Sequence, residues 1–234
     1  MNYSSLYLYV LLAIVQGYLL GSISFSYLAG KILRGINLRE HGSGNLGASN
    51  TFRILGPAPG IVVLALDTLK GYLAVEVALQ LGQSASLQGE TLITLGIMGG
   101  LAAFIGHLYP VFHGLKGGKG VATSLGIFLN LAPKAILVAF AVWLVIFLIT
   151  RYISLGSILA ALSLPIFMLI QKYSLNQPIS QTLLWFTVTT GLLVIIKHHG
   201  NIKRLFSGTE SKFQWKKKQS SLQPPASGSS GQWP

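Results

Sequence analysis

The chain of 234 residues is 51% hydrophobic and only 9% charged, carries a formal net charge of +12 and contains no cysteine. That balance excludes an ordinary soluble domain of this length, and the missing cysteine excludes a disulfide framework, a thiolate nucleophile and a Cys-based metal site. The basic excess does not indicate nucleic acid, because Lys and Arg sit in short loops between apolar runs and in a C-terminal cluster; anionic lipid or an anionic substrate fits better.

Apolar runs of roughly 17–25 residues, enough to span a ~30 Å hydrocarbon core, recur along the chain. The first, residues 3–30, has no Lys or Arg before it and Lys31, Arg34 and Arg39 after it. This reverses the charged start of a secretory signal and reads as a transmembrane helix. Further spans are expected at residues 58–81, 91–112, 121–131, 135–150, 153–170 and 179–196. The second of the seven contains Asp67 and Lys70 at i,i+3, where mutual pairing toward the bundle interior is expected. The run 121–131 covers only about half the hydrocarbon thickness at ~1.5 Å per residue.

Charge decides whether that short run crosses. With seven crossings and the N-terminus outside, the cytoplasmic side receives Lys31, Arg34, Arg39, Arg53, Lys116, Lys119, Arg151, Lys197, Lys203, Arg204, Lys212 and Lys216 to Lys218, and the outer side only Lys134 and Lys172. Such a distribution obeys the positive-inside rule. The expected fold is therefore an all-α integral membrane protein, a bundle of seven transmembrane helices, N-out and C-in, with short or re-entrant cytoplasmic loops. The loop before residue 121 is expected to dip into the bundle, where non-helical backbone survives only against protein or a watery cavity. Residues 1–210 form the membrane domain; residues 211–234, with Lys216, Lys217 and Lys218 followed by Ser, Gly, Gln and Pro, are expected to be a disordered tail.

Three polar segments fall on the cytoplasmic side. In residues 38–56, Gly42, Gly44 and Gly47 alternate with Ser43, Asn45, Ser49, Asn50 and Thr51 ahead of Arg53, a pattern compatible with an anion-binding nest of backbone N–H groups and equally with a flexible polar loop. In residues 107–126, His107 is followed by Lys116-Gly117-Gly118-Lys119-Gly120 and then directly by a helix. Two cations and free N–H groups at a helix N-terminus suit phosphate. The spacing is not that of a Walker A loop, since His113 and Gly120 occupy the places of the first Gly and the final Ser or Thr. In residues 197–210, Lys197, Asn201 and Arg204 roughly share a helical face, with His198, His199 and Glu210 nearby. Anchoring to lipid headgroups is the alternative for this third segment.

Acidic residues are limited to Asp67, Glu40, Glu76, Glu90 and Glu210, which disfavours a carboxylate-clamped metal and a glycosidase pair. No His-x4-Asp acyltransferase motif exists, because Leu46, Phe112, Gly118, Lys203 and Arg204 stand five residues after the histidines. A basic, Gly-lined pocket beside lipid, without nucleophile, metal or strong base, suits a donor that is already activated. An acyl phosphate needs chiefly charge neutralisation, alignment of an alcohol and stabilisation of an oxyanion.

The strings Gly-Ser-Gly-Asn-Leu-Gly-Ala-Ser-Asn at 42–50 with Arg53, Gly106-His107 with Pro110-Val111-Phe112, residues 116–123, and His198 with Asn201-Ile202, Arg204, Gly208 and Glu210 resemble the bacterial acyl-phosphate:glycerol-3-phosphate acyltransferases. The resemblance implies seven transmembrane helices in the bacterial inner membrane and an active site facing the cytoplasm. It implies acyl transfer from acyl phosphate to the sn-1 hydroxyl of glycerol 3-phosphate, with no metal, no cofactor and no acyl-enzyme. Carried over by position, Ser43, Asn45 and Arg53 belong to the first motif, Lys116, Gly117, Gly118, Lys119 and Gly120 to the phosphate loop, and His198, Asn201, Arg204 and Glu210 to the third. His107 opens the second.

Ser43, Asn45, Lys119, His198 and Asn201 are the expected catalytic residues, and Arg53, His107, Lys116, Gly117, Gly118, Gly120, Arg204 and Glu210 the substrate-binding ones. Lys119 and the loop amides are assigned to the acyl phosphate, Arg53, His198, Asn201 and Arg204 largely to glycerol phosphate. Ser24, where the family usually has Pro, and the His199-Gly200 pair depart from its pattern. The enzyme is expected to work as a monomer. A transporter of a phosphorylated anion and a non-catalytic lipid-binding protein are the rival readings of the same loops.

Overall fold

The computed structural model describes residues 3–214, and within them the chain is helical without strands. In chain order the helices are α1 (Tyr3–Ser22), α2 (Phe25–Arg34), α3 (Ala48–Leu55), α4 (Pro57–Ser84), α5 (Gly89–Leu108), α6 (Val121–Leu131), α7 (Pro133–Thr150), α8 (Ile153–Leu169, continued by a wider π turn, Ile170–Ser174), α9 (Gln181–Lys197) and α10 (His199–Phe206).

Among the described residues, Ser5–Arg34, Gly89–His113, Pro133–Thr150 and Ile153–Ser174 are long and apolar enough to cross a membrane; Val121–Leu131 and Gln181–Lys197 are apolar but shorter. The long helix α4 is less apolar because it carries Asp67, Lys70 and Glu76, each of which finds a partner inside the protein. Lys70 Nζ lies 2.7 Å from Asp67 Oδ1, both buried, as the i,i+3 spacing leads one to expect. Glu76 accepts from Gln80 at 2.9 Å and from Asn130 of α6 at 3.0 Å.

Apolar outer faces cannot drive helices together in lipid, so association depends on close packing of small residues. α1 runs along α5 with Gly17 against the Gly99 carbonyl, Gly21 against that of Ala103 and Gly106 against that of Tyr18; a Cβ at any of these would strike backbone. Gly71 of α4 and Gly126 of α6 make the same kind of approach to Thr123 and Thr68. This is how so short a helix is held deep in the bundle. The second half of the chain packs α7 on α8 and α8 on α9, around a core that includes Phe104, Phe128, Met168 and Phe186. Leu148, Ile149, Trp185, Leu192 and Ile196 face outward.

Element ends differ from hydropathy in places with local causes. The first apolar run is not one helix: it breaks at Ile23 and Ser24. The Ile23 carbonyl, lost from the helical ladder, accepts from Lys70 Nζ at 2.7 Å, and the Ser24 hydroxyl caps α2 by accepting from the Tyr27 N–H at 3.4 Å. α5 stops at Leu108 because Pro110 cannot continue it. Part of the first polar segment is the short helix α3. Residues 211–214, grouped with the tail by composition, are held: the Phe213 N–H donates to the Arg151 carbonyl at 2.8 Å and its ring packs edge-on against Phe52 and Phe147. The rest of the expected tail, residues 215–234 with Lys216, Lys217 and Lys218, lies outside the described residues.

Candidate active site

The three polar segments converge at one end of the bundle. The first is folded from inside by Asn50, which is buried and accepts the Ser43 N–H at 2.9 Å while donating to the carbonyls of Leu38 and His41 at 3.0 and 3.1 Å. The Thr51 and Ser26 hydroxyls, 2.8 Å apart, tie α3 to α2. Gly42 and Gly44 take positive φ values of 63° and 68°, which L side chains rarely adopt. Ser43, Gly44 and Asn45 are thereby left lining the cavity.

The second segment turns back on the end of α5. The N–H groups of Gly117 and Gly118 donate to the carbonyls of Leu108 and His107, each at 3.1 Å. This corrects the expectation that both amides cradle phosphate: their hydrogen atoms point into the protein, and what they provide is the path of the loop. Arg39 clamps that path from the first segment, its Nε donating to the Lys116 carbonyl at 3.1 Å and its Nη2 to Lys116 at 2.6 Å and to His113. Gly120, packed on Phe104, then begins α6. In the first turns of α6, the buried Thr123 and Ser124 hydroxyls have no hydrogen-bond partner among the described residues.

In the third segment the chain bends at His198 between α9 and α10. His198 is buried, with Nδ1 2.8 Å from the Val194 carbonyl, so this nitrogen carries the proton and donates. Burial, reinforced by the Lys119 charge, pushes its pKa down to about 4 and keeps the ring neutral near pH 7. Glu210 closes the segment from behind. Its Oε1 accepts from Ser154 of α8 and from Asn201 Nδ2, both at 2.6 Å, and its Oε2 accepts from Arg204 Nε at 2.7 Å. Burial works to raise Glu210, but these bonds and the Arg204 charge outweigh it and hold the carboxyl below its usual range.

Asn201 completes the connection, because its Oδ1 accepts from Lys119 Nζ. The resulting chain runs from Ser154 through Glu210 and Asn201 to Lys119, with Arg204 on the same carboxylate, and joins the second segment to the third. Burial and the charges of Arg204 and Arg53 lower the Lys119 ammonium to about 8, against an opposing pull from Glu210.

These groups border a cavity of about 220 Å³ lined by Ser43, Gly44, Asn45, Lys119, Lys197, His199, Gly200, Asn201 and Arg204. Five of the residues expected from sequence thus reach the wall: Ser43, Asn45, Lys119, Asn201 and Arg204. Lys197, at the end of α9, also lines it, so Lys197, Asn201 and Arg204 meet at one cavity across the bend between α9 and α10, and the Lys197 ammonium sits 4.2 Å from the centre of the Tyr109 ring. Gly44, His199 and Gly200 also line it; the sequence places Gly44 in the glycine pattern of the first loop and His199 and Gly200 beside His198, without assigning any of them to the site. Arg53, Lys116, Gly117, Gly118, Gly120, His198 and Glu210 are not among the residues that line it. His107 is not brought to the cavity, because its ring is buried beneath Gly118.

The sequence matches the family model described as glycerol-3-phosphate acyltransferase over residues 11–208. The glycerol-3-phosphate acyltransferase of Trichlorobacter lovleyi is 49% identical over 201 residues, 86% of this chain and 96% of that one. That of Aquifex aeolicus is 42% identical, covering 87% and 98%. A solved structure of PlsY, an integral membrane glycerol 3-phosphate acyltransferase in its glycerol 3-phosphate form, superposes with a TM-score of 0.76 at 41% identity over 88% of this chain and 96% of that one. The lysophosphatidic acid form gives 0.73 at 40% identity, with the same coverage. The family match over most of the length and the superposition on an integral membrane member give one conclusion: the chain belongs to the glycerol-3-phosphate acyltransferase family and is a membrane acyltransferase.

Proposed function

We propose that the cavity joins acyl phosphate to the sn-1 hydroxyl of glycerol 3-phosphate, releasing 1-acyl-glycerol 3-phosphate and inorganic phosphate. The observation that carries this reading is the hydrogen-bonded chain Glu210–Asn201–Lys119 with Arg204, which holds two cations and an amide on one small cavity. The related PlsY structures in glycerol 3-phosphate and lysophosphatidic acid forms supply the acceptor and the product. The acyl phosphate donor rests on the chemistry of the residues: the site offers charge and hydrogen bonds, and its one lining hydroxyl, Ser43, has no base hydrogen-bonded to it among the described residues that would activate it for an acyl-enzyme.

In the transfer, the sn-1 oxygen attacks the acyl carbonyl carbon, the bond from that carbon to the phosphate oxygen breaks, and the hydroxyl proton ends on the departing phosphate. Lys119 neutralises the phosphoryl group of the donor, and Arg204 and Lys197 take the glycerol phosphate, with Arg53 adding to the field. Ser43, Asn45 and Asn201 align the two substrates. Neutral His198 holds the bend that presents Asn201, and Glu210 fixes Asn201 and Arg204 in place. Lys116, Gly117, Gly118 and Gly120 shape the loop that carries Lys119.

The same reading places the cavity at the cytoplasmic face of the bacterial inner membrane, with seven crossings, N-out and C-in, residues 1–210 as one membrane domain, and the monomer as the working unit. The charge asymmetry of the loops and the meeting of all three basic segments at one end support it. Purified protein given palmitoyl phosphate and labelled glycerol 3-phosphate is expected to form lysophosphatidate and phosphate in equal amounts. Activity with palmitoyl-CoA and none with palmitoyl phosphate would overturn the donor assignment.

A further inference from the structure

A second polar cluster lies beneath the phosphate loop, inside the helices. Asp67 and Lys70 of α4 and His107 of α5 are 1%, 3% and 6% exposed. Lys70 satisfies two demands at once: its Nζ lies 2.7 Å from Asp67 Oδ1 and donates at 2.7 Å to the Ile23 carbonyl at the break between α1 and α2. Beyond that ion pair, Oδ1 and Oδ2 of Asp67 are both buried without a hydrogen-bond partner among the described residues, a costly state for a carboxylate. The imidazole of His107 is the other polar group beside this carboxylate, its Nδ1 3.7 Å from Oδ1, in charge range and beyond a hydrogen bond.

His107 in turn is the surface on which the loop is moulded. Its carbonyl receives the Gly118 N–H at 3.1 Å, and the next carbonyl, that of Leu108, receives the Gly117 N–H at 3.1 Å. A Cβ on Gly117 would collide with the His107 carbonyl oxygen, and one on Gly118 with Nε2 of the ring. The chain therefore touches His107 through both glycines immediately before Lys119. An ion pair that only fastened α4 to the break after α1 would have no need of a third group beneath the loop.

We propose that Asp67 is a positioning residue for acyl transfer: its carboxylate orients the His107 ring, the ring fixes the course of Gly117 and Gly118, and that course aims Lys119 at a phosphoryl group in the cavity. The inference rests on the assignment of Lys119 to the acyl phosphate, made above.

The decisive variant is Asp67→Asn combined with Lys70→Met in the full-length enzyme, which removes both buried charges together and leaves neither unpaired. If Asp67 serves only to neutralise Lys70, this double variant keeps both KM values within about twofold of the unmodified enzyme, and the proposal is overturned. The positioning role predicts that KM for palmitoyl phosphate rises about tenfold to a hundredfold while KM for glycerol 3-phosphate stays within about twofold. A fall in kcat alone, or equal rises in both KM values, also overturns it. A rise confined to glycerol 3-phosphate supports the positioning role and overturns the donor assignment instead.

Should the double variant not fold, His107→Gln with and without Asp67→Asn/Lys70→Gln, which removes both charges and keeps a donor for the Ile23 carbonyl, gives the same decision through coupling. A carboxylate acting through the ring adds nothing to the KM change of His107→Gln, whereas multiplying effects contradict the proposal.

Discussion

Two partly or wholly buried lysines in this protein are held in opposite ways. Lys70, inside α4, has a carboxylate at 2.7 Å and a backbone carbonyl at 2.7 Å, so its charge is fully answered by the protein. Lys119, in the loop before α6, donates to the neutral amide of Asn201, and the nearest carboxylate, Glu210, is already engaged by Ser154, Asn201 and Arg204. The first is a structural cation, the second an unanswered one. A family that binds phosphorylated substrates needs the second kind at its cavity, and the lowering of Lys119 to about 8 by burial and by Arg204 and Arg53 measures how incompletely it is answered.

Exchanging each lysine for alanine separates the two most sharply. Lys119→Ala is expected to reduce kcat/KM by about 10³-fold with little change in thermal midpoint. Lys70→Ala leaves Asp67 buried against a neutral side chain and is expected to cost ~3–5 kcal/mol of stability, seen as a lowered unfolding midpoint in detergent. Equal losses of stability in both would erase the distinction.

A smaller effect is expected where the protein aims its cations without supplying one. Glu210→Gln weakens the charged bonds to Asn201 and Arg204, and a fall of about tenfold to a hundredfold in kcat/KM should follow, with the protein still folded. No change in steady-state kinetics would mean that Asn201 and Arg204 hold their places unaided.

The pH profile sharpens the comparison further. In the proposed role Lys119 binds phosphate as the ammonium, present below its pKa and lost above it, so kcat/KM for the donor should fall as pH rises through about 8. Lys119→Arg, which stays protonated, should move that alkaline limit upward even if the maximum is lower. An unmoved limit in Lys119→Arg would assign the titration to another group. The least effect is expected from Phe213→Ala, which removes the two edge-on ring contacts to Phe52 and Phe147 and should cost ~1 kcal/mol in a melting experiment, without a change in KM.

Much of this was legible in the sequence because it is periodic or local. The short helix Val121–Leu131 appears with the bounds its apolar run gives, the Asp67–Lys70 pair follows from i,i+3 spacing, and Asn201 and Arg204, three residues apart on α10, line one cavity. What was not legible depends on partners far along the chain. The break at Ile23 is satisfied by Lys70, the direction of the Gly117 and Gly118 amides is set by α5, and the lysine loop is clamped by Arg39. A glycine pair beside two lysines is the same string whether its N–H groups face a ligand or a helix end. His107 illustrates the same point, since its place in a motif announced importance and only the packing put it beneath the loop. Phe213 sits in a stretch whose composition is that of a tail, and its ring meets Phe52 and Phe147, both far along the chain.

The absence of cysteine from the chain makes the charge at Lys119 directly testable. Lys119→Cys introduces a single thiol, which 2-bromoethylamine converts to a side chain ending in an ammonium and iodoacetamide to a neutral one of comparable bulk. Acyl transfer from palmitoyl phosphate to glycerol 3-phosphate should be nearly abolished in Lys119→Cys, return after aminoethylation and stay absent after carbamidomethylation. Equal recovery with the two reagents, or none after complete aminoethylation, would contradict the claim that this position supplies the positive charge for phosphate.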